Sequence, residues 1–207
     1  MVSLRPAVTT ATPPPERSLA AWPVLCALLA LASCAVWWSG GSAALTWKSA
    51  RWQAQPWTLW SASLAHLTFL HLFGNLLALA VLALLGVFLR AGRSAAGAVL
   101  LAWPLGTLGL IFWPQVGGYS GLSGLLCAML AVLWFHAASG QAGRMPSWVL
   151  ALALALKLVS EHAWSRPIGY DPQWGFNVVY AAHLAGAFCG VACALVLRLA
   201  FGPARRA

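Results

Sequence analysis

A histidine and an asparagine one helical turn apart, a serine framed by glycines and a second, separate histidine are the residues of this chain best equipped for chemistry. His71 and Asn75 lie in HLTFLHLFGN at i, i+4 spacing and so project from one helical face. Ser123 sits in GGYSGLSG, and His183 in YAAHLAGAFCG. A serine hydroxyl is a weak nucleophile until a base takes its proton, and His183 is the candidate base. Attack on a carbonyl creates an oxyanion, for which the Ser123 amide and the side chains of His71 and Asn75 are the available donors. The only acids are Glu16, Glu161 and Asp171, so an orienting third acid is missing from the spans. The expected hydrolase chemistry is therefore a Ser-His dyad, which needs no cofactor.

Apolar runs must position these residues. Of the 207 residues 61% are hydrophobic and 7% charged, which excludes a water-soluble domain. About 20 helical residues cross a ~30 Å hydrocarbon core. Six runs are candidates: Ala20 to Trp38, Phe69 to Leu89, Ala95 to Trp113, Gly121 to Ala138, a short one from Ser147 to Glu161, and Val178 to Phe201. Trp22, Trp38, Trp103, Trp113 and Trp148 near the run ends are expected at the membrane interfaces. Residues 1–18, with Pro13, Pro14 and Pro15, read as a disordered tail. Residues 19–201 then form one all-α membrane domain, and 202–207 a short basic tail. The first run is expected to be an uncleaved anchor.

The formal charge of +9 is scattered over loop ends, with no basic face for nucleic acid. Arg5, Arg17, Arg90, Arg93, Arg144, Arg198, Arg205 and Arg206 fall on one side, and Lys48, Arg51 and Arg166 on the other. The positive-inside rule then puts both termini in the cytoplasm. With that topology His71, Asn75, Ser123 and His183, on three separate spans, all come out in the outer third of the membrane. Polar side chains are costly there, so a cluster at one depth points to function.

Taken singly, each feature has a plainer reading. GLSG is a common helix-packing sequence, His183 could bond a neighbouring carbonyl, and His71 with Asn75 could join two helices. Their agreement in depth favours chemistry. His66 and His71, five residues apart, sit about 140° around a helix with no carboxylate beside them, so no metal site is expected. Lys157 and Glu161 are an i, i+4 pair that would neutralise itself at the interface. Their Lys-before-Glu order is the less favourable one, which invites tertiary partners. His136 is expected at the inner interface, and His162 in an outer loop. Cys26, Cys34, Cys127, Cys189 and Cys193 all fall in runs and read as packing residues. Gly186 and Gly190, with Gly117, Gly121 and Gly124, would thin the facing helices enough for His183 to approach Ser123.

Together, His66-x4-His71-x3-Asn75, GLSG and AHLAGAFCG resemble the motifs of the rhomboid intramembrane serine proteases. The resemblance covers about Trp57 to Gly190. It implies a six-helix bundle, with Ser123 as nucleophile, His183 as base, and His71, Asn75 and the Ser123 amide as oxyanion hole. It also implies a segment of about Ser39 to Thr68 lying partly in the membrane. GLSG, and KLVSE (Lys157 to Glu161) followed by AHLAG, are similar to the rhombosortase branch. That branch implies a bacterial inner-membrane enzyme, its site facing outwards, acting on single-span or C-terminally anchored surface proteins with a Gly-Gly tail. Two positions depart from the family pattern: Cys127 stands where many rhomboids have tyrosine, and Trp57-Thr58 where a Trp-Arg pair is common. A catalytically inactive, client-binding relative is the rival reading. A small transporter would show repeats or midplane ligands, which this sequence lacks.

Overall fold

The computed structural model describes residues 19–141 and 144–201. The tails expected at 1–18 and 202–207 lie outside the described residues. In lipid every backbone polar group must be satisfied within the chain, and the apolar runs accordingly fold as helices. The helices are α1 (Ala21–Ser39), α2 (Ser42–Leu45), α3 (Thr58–Ser61), α4 (Phe69–Phe88), α5 (Arg93–Leu108), α6 (Ser123–His136), α7 (Arg144–Ser160) and α8 (Tyr180–Phe201).

Two small antiparallel sheets accompany them. Strand β1 (Trp47–Lys48) pairs with β2 (Gly118–Tyr119), in the register Trp47 to Tyr119. Strands β3 (Gly169–Asp171) and β4 (Phe176–Val178) form a hairpin just before α8.

Among the described residues five helical stretches are long and apolar enough to cross a membrane: Ala21–Ser39, Phe69–Phe88, Arg93–Phe112, Ser123–Gly140 and Tyr180–Phe201. The sequence expectation was six. Helix α7 has 17 residues, about 25 Å at 1.5 Å per residue, against a ~30 Å core. Leu77, Leu84, Phe88, Phe112, Leu199 and Phe201 stay exposed around the bundle, as a lipid environment requires.

Helix α6 is the centre of the molecule, with most of its residues buried. It meets α8 along a seam of glycines. A Cβ added at Gly186 would fall on the Gly124 carbonyl, and one at Gly190 on that of Ala128, so the two backbones touch. Gly106 of α5 reaches the same seam at Gly186. Gly117, by contrast, faces open space and thins nothing.

Trp22, expected at an interface, is instead fully buried. Its Nε1 donates to the Leu82 carbonyl at 3.1 Å and its ring lies against Gly86, locking α1 to α4. His136 also has a structural partner, the Leu89 carbonyl at the end of α4, 3.1 Å away. That carbonyl belongs to the last helical turn, where no intrahelical donor remains. The segment between α1 and α4 folds back on the bundle, burying Trp47, Thr58, Leu59 and Ala62.

Candidate active site

The first turns of α4, α6 and α8 and the last turn of α7 meet at one end of the bundle, around a cavity of about 720 Å³. His71, Asn75, Ser123, His183, Lys157 and Glu161 all line it. The cavity continues between α4 and α7 past Ala78, Val81, Leu85, Val149 and Ala153, where its walls are apolar. From His71 to Leu85 it follows α4 for roughly 20 Å by helical rise.

Each side chain owes its place to local features of the sequence. Thr68 caps α4 by accepting from the His71 amide at 3.1 Å, which fixes the turn carrying His71. The His71 ring is packed by His66 (centroids 5.0 Å apart), Phe176 (4.8 Å) and Trp174 (6.1 Å). His66 stands behind His71, not on the cavity wall. Its Nδ1 lies 3.0 Å from the Leu64 carbonyl, an acceptor that makes Nδ1 the protonated nitrogen. Burial pushes the His66 imidazole down to about 4, the Leu64 bond offsetting only part, so it is neutral near pH 7.

Gly121 has φ +113°, and a Cβ there would lie 2.5 Å from the His71 ring. Only glycine lets the loop before α6 pass so close to His71. Its amide donates to the Ala62 carbonyl at 2.9 Å. Tyr119 pins the loop from within: its hydroxyl donates to the Gly121 carbonyl at 2.6 Å and accepts from the Gly124 amide at 3.2 Å. Burial pushes that hydroxyl well above its ordinary range, with the Gly124 amide, Ser63 and Ser123 pulling weakly the other way.

Ser123 opens α6 and is half-buried on the cavity wall. His183, 1% exposed, faces the same cavity from α8. Across the α6–α8 seam the two residues face the same cavity without a hydrogen bond between them. His183 Nε2, His71 Nδ1 and Asn75 Nδ2 are buried atoms with no hydrogen-bond partner. Leaving such a group unsatisfied costs about 1–3 kcal/mol, and buried polar groups are nearly always paired. Of the six such side-chain atoms among the described residues, three belong to residues lining this one cavity.

The structure differs from the sequence expectation over the third acid. Glu161 Oε2 lies 2.7 Å from His183 Nδ1, and Oε1 accepts from Lys157. The sequence reading paired Glu161 with Lys157, which holds, but placed no acid beside the histidine. A contact between the ends of α7 and α8, 22 residues apart, leaves no mark in helical periodicity. The unfavourable order of the Lys157 and Glu161 charges was the one available hint. The β3–β4 hairpin was also missed, although Asp171-Pro172 and Gly175 between aromatic residues carry a turn signal. Gly175 adopts φ +74° there, and its amide donates to the Asp171 carbonyl at 2.9 Å. Trp174 lies against Gly74, where a Cβ would come within 2.8 Å of the indole.

Among curated proteins no match was found. The Rhomboid domain profile, in contrast, matches residues 53–200, from the segment before α4 to the end of α8, and takes in every residue of the cavity just described except Thr46. A multi-pass bundle of apolar helices, glycine-seamed and polar at one end, fits that match, and with most of its length covered the chain belongs to the rhomboid family, whose members are intramembrane serine proteases.

Proposed function

We propose that this protein is a serine endopeptidase that cleaves membrane-anchored proteins near the membrane surface. His183 Nε2 takes the proton of Ser123 Oγ as that oxygen attacks the scissile carbonyl. The oxyanion is met by the Ser123 amide, Asn75 Nδ2 and the His71 ring. His183 then passes its proton to the leaving amine, and water releases the acyl group by the same path in reverse. The observation that carries this reading is the set of three unpaired, buried polar atoms around one cavity that also holds Ser123.

The cavity suits such a substrate. Its apolar length between α4 and α7 matches an anchor segment, and its polar end matches a peptide bond freed from helix. A helical substrate must unwind there, since its carbonyls are otherwise bonded to its own amides. Glycine at the cleavage point lowers that cost. Within this proposal six helices span the bilayer, α7 being the short one, both termini are cytoplasmic, and the site opens outwards from a bacterial inner membrane. The GLSG and KLVSE motifs support the rhombosortase branch, with C-terminal Gly-Gly tails of surface or secreted proteins as substrates. A client-binding role without catalysis has no use for unpaired donors around a serine.

The test is labelling of detergent-solubilised protein with a fluorophosphonate probe. Wild type is expected to label, whereas Ser123→Ala and His183→Ala are not. Equal labelling of all three would exclude Ser123 as the activated nucleophile.

A further inference from the structure

We infer that Glu161 is a positioning residue that selects the tautomer of His183, and that Lys157 holds Glu161 in that role. The inference rests on the serine-protease reading above. A carboxylate has two oxygens, and here each has its own partner: Oε2 faces His183 Nδ1 at 2.7 Å, and Oε1 faces the Lys157 ammonium. The plane of the carboxylate is thereby fixed from two directions. An ionised carboxylate only accepts hydrogen bonds, so the imidazole proton resides on Nδ1. Nε2, buried and without a partner, is left with the free lone pair that a base for Ser123 requires. When Nε2 takes the serine proton the ring becomes a cation, and Glu161 stabilises it without itself taking a proton.

Lys157 is more than a counter-charge. Its side chain is 47% exposed, that of Glu161 13% and that of His183 2%, so the lysine approaches from the open side and the histidine from the packed one. This sets how a neutral replacement behaves. In Glu161→Gln the lysine claims the amide oxygen and turns the NH2 group towards His183 Nδ1. Two donors cannot face each other, so the imidazole proton moves to Nε2 and the base is lost. With Lys157→Met added, the amide is free to turn its oxygen towards Nδ1, and the working tautomer returns.

The rival role is structural. Among the described residues of α7 only Leu150 and Leu154 are buried, so the Glu161 link could simply tie α7 to α8. Fluorophosphonate labelling of the purified full chain separates the two, read as a maximal rate and a half-saturating probe concentration. Glu161→Gln is expected to lower the maximal rate roughly 10²- to 10⁴-fold, while half-saturation stays within about twofold. Glu161→Asp should recover part of the rate, and Glu161→Gln with Lys157→Met should label faster than Glu161→Gln alone. A structural tie predicts the opposite for the double variant, which removes both ends of the link.

Spectra of 15N-histidine protein, assigned with His183→Ala, should put the His183 proton on Nδ1 in wild type and on Nε2 in Glu161→Gln. Wild-type labelling with an unchanged rate in Glu161→Gln overturns the positioning role and leaves the protease standing. A wild-type proton on Nε2 overturns it too. Failure of wild type itself to label instead sinks the protease reading on which the role depends.

Discussion

Two helix pairs border the cavity and could hardly be built more differently. Helices α6 and α8 meet backbone to backbone, Gly186 and Gly190 lying on the carbonyls of Gly124 and Ala128. Helices α4 and α7 are parted by the cavity, and exposed residues such as Val81 and Val149 line the gap. The seam carries Ser123 and His183, whose separation the proposed mechanism needs held closely. The open pair carries His71 and Asn75, the proposed donors, on one side and Lys157 with Glu161 on the other, around the cavity. Packed cores resist small displacements, whereas loosely packed surfaces yield. On the proposed mechanism, the contrast places rigidity under Ser123 and His183 and freedom along the path proposed for the substrate.

Substitutions sharpen that contrast in descending order of effect. His71→Ala and Asn75→Ala should each lower turnover by roughly 10²- to 10³-fold, the usual loss for one oxyanion donor. Unchanged turnover in both would remove α4 from the chemistry. Gly186→Val drives a side chain into the α6 backbone, and overpacking of this kind costs up to about 3 kcal/mol. Thermal unfolding in detergent should show it, and a wild-type melting curve would contradict the close seam.

Gly121→Ala is the intermediate case. Its φ of +113° is strained for alanine, at about 1–3 kcal/mol, and the new Cβ meets the His71 ring. Labelling should therefore fall more than stability does. Val149→Ala, on the open face, should leave the melting temperature nearly unchanged, with a stability change of about 0.5 kcal/mol or less. A large loss there would mean that α7 is held as firmly as α8.

Much of this arrangement was legible in the sequence, for reasons that differ from residue to residue. The i, i+4 spacing of His71 and Asn75 fixes their common face, because helical geometry alone decides it. Ser123 and His183 were expected at one depth, because apolar run lengths and charge placement are local properties, and both line one cavity. Gly186 and Gly190 announced a close approach through their spacing. Glu161 was legible as a partner for Lys157, one turn away on the same helix. Its second partner, His183, depends on how α7 leans on α8, and nothing local encodes that. Trp22 misled for a related reason: tryptophan near a run end suits an interface, but its indole found the Leu82 carbonyl inside the bundle. The hairpin over His71 was hidden because its strands have three residues each, too few for alternation to stand out.

The central claim is that Ser123, and no other serine at the cavity, is the activated nucleophile. Ser120 lines the same cavity three residues away, and so provides an internal control. Peptide mapping by mass spectrometry of the fluorophosphonate-treated full chain tests the claim most directly. A single phosphonyl adduct on Ser123, lost in His183→Ala, is the expected result. An adduct on Ser120, or one on Ser123 that survives His183→Ala, would contradict it.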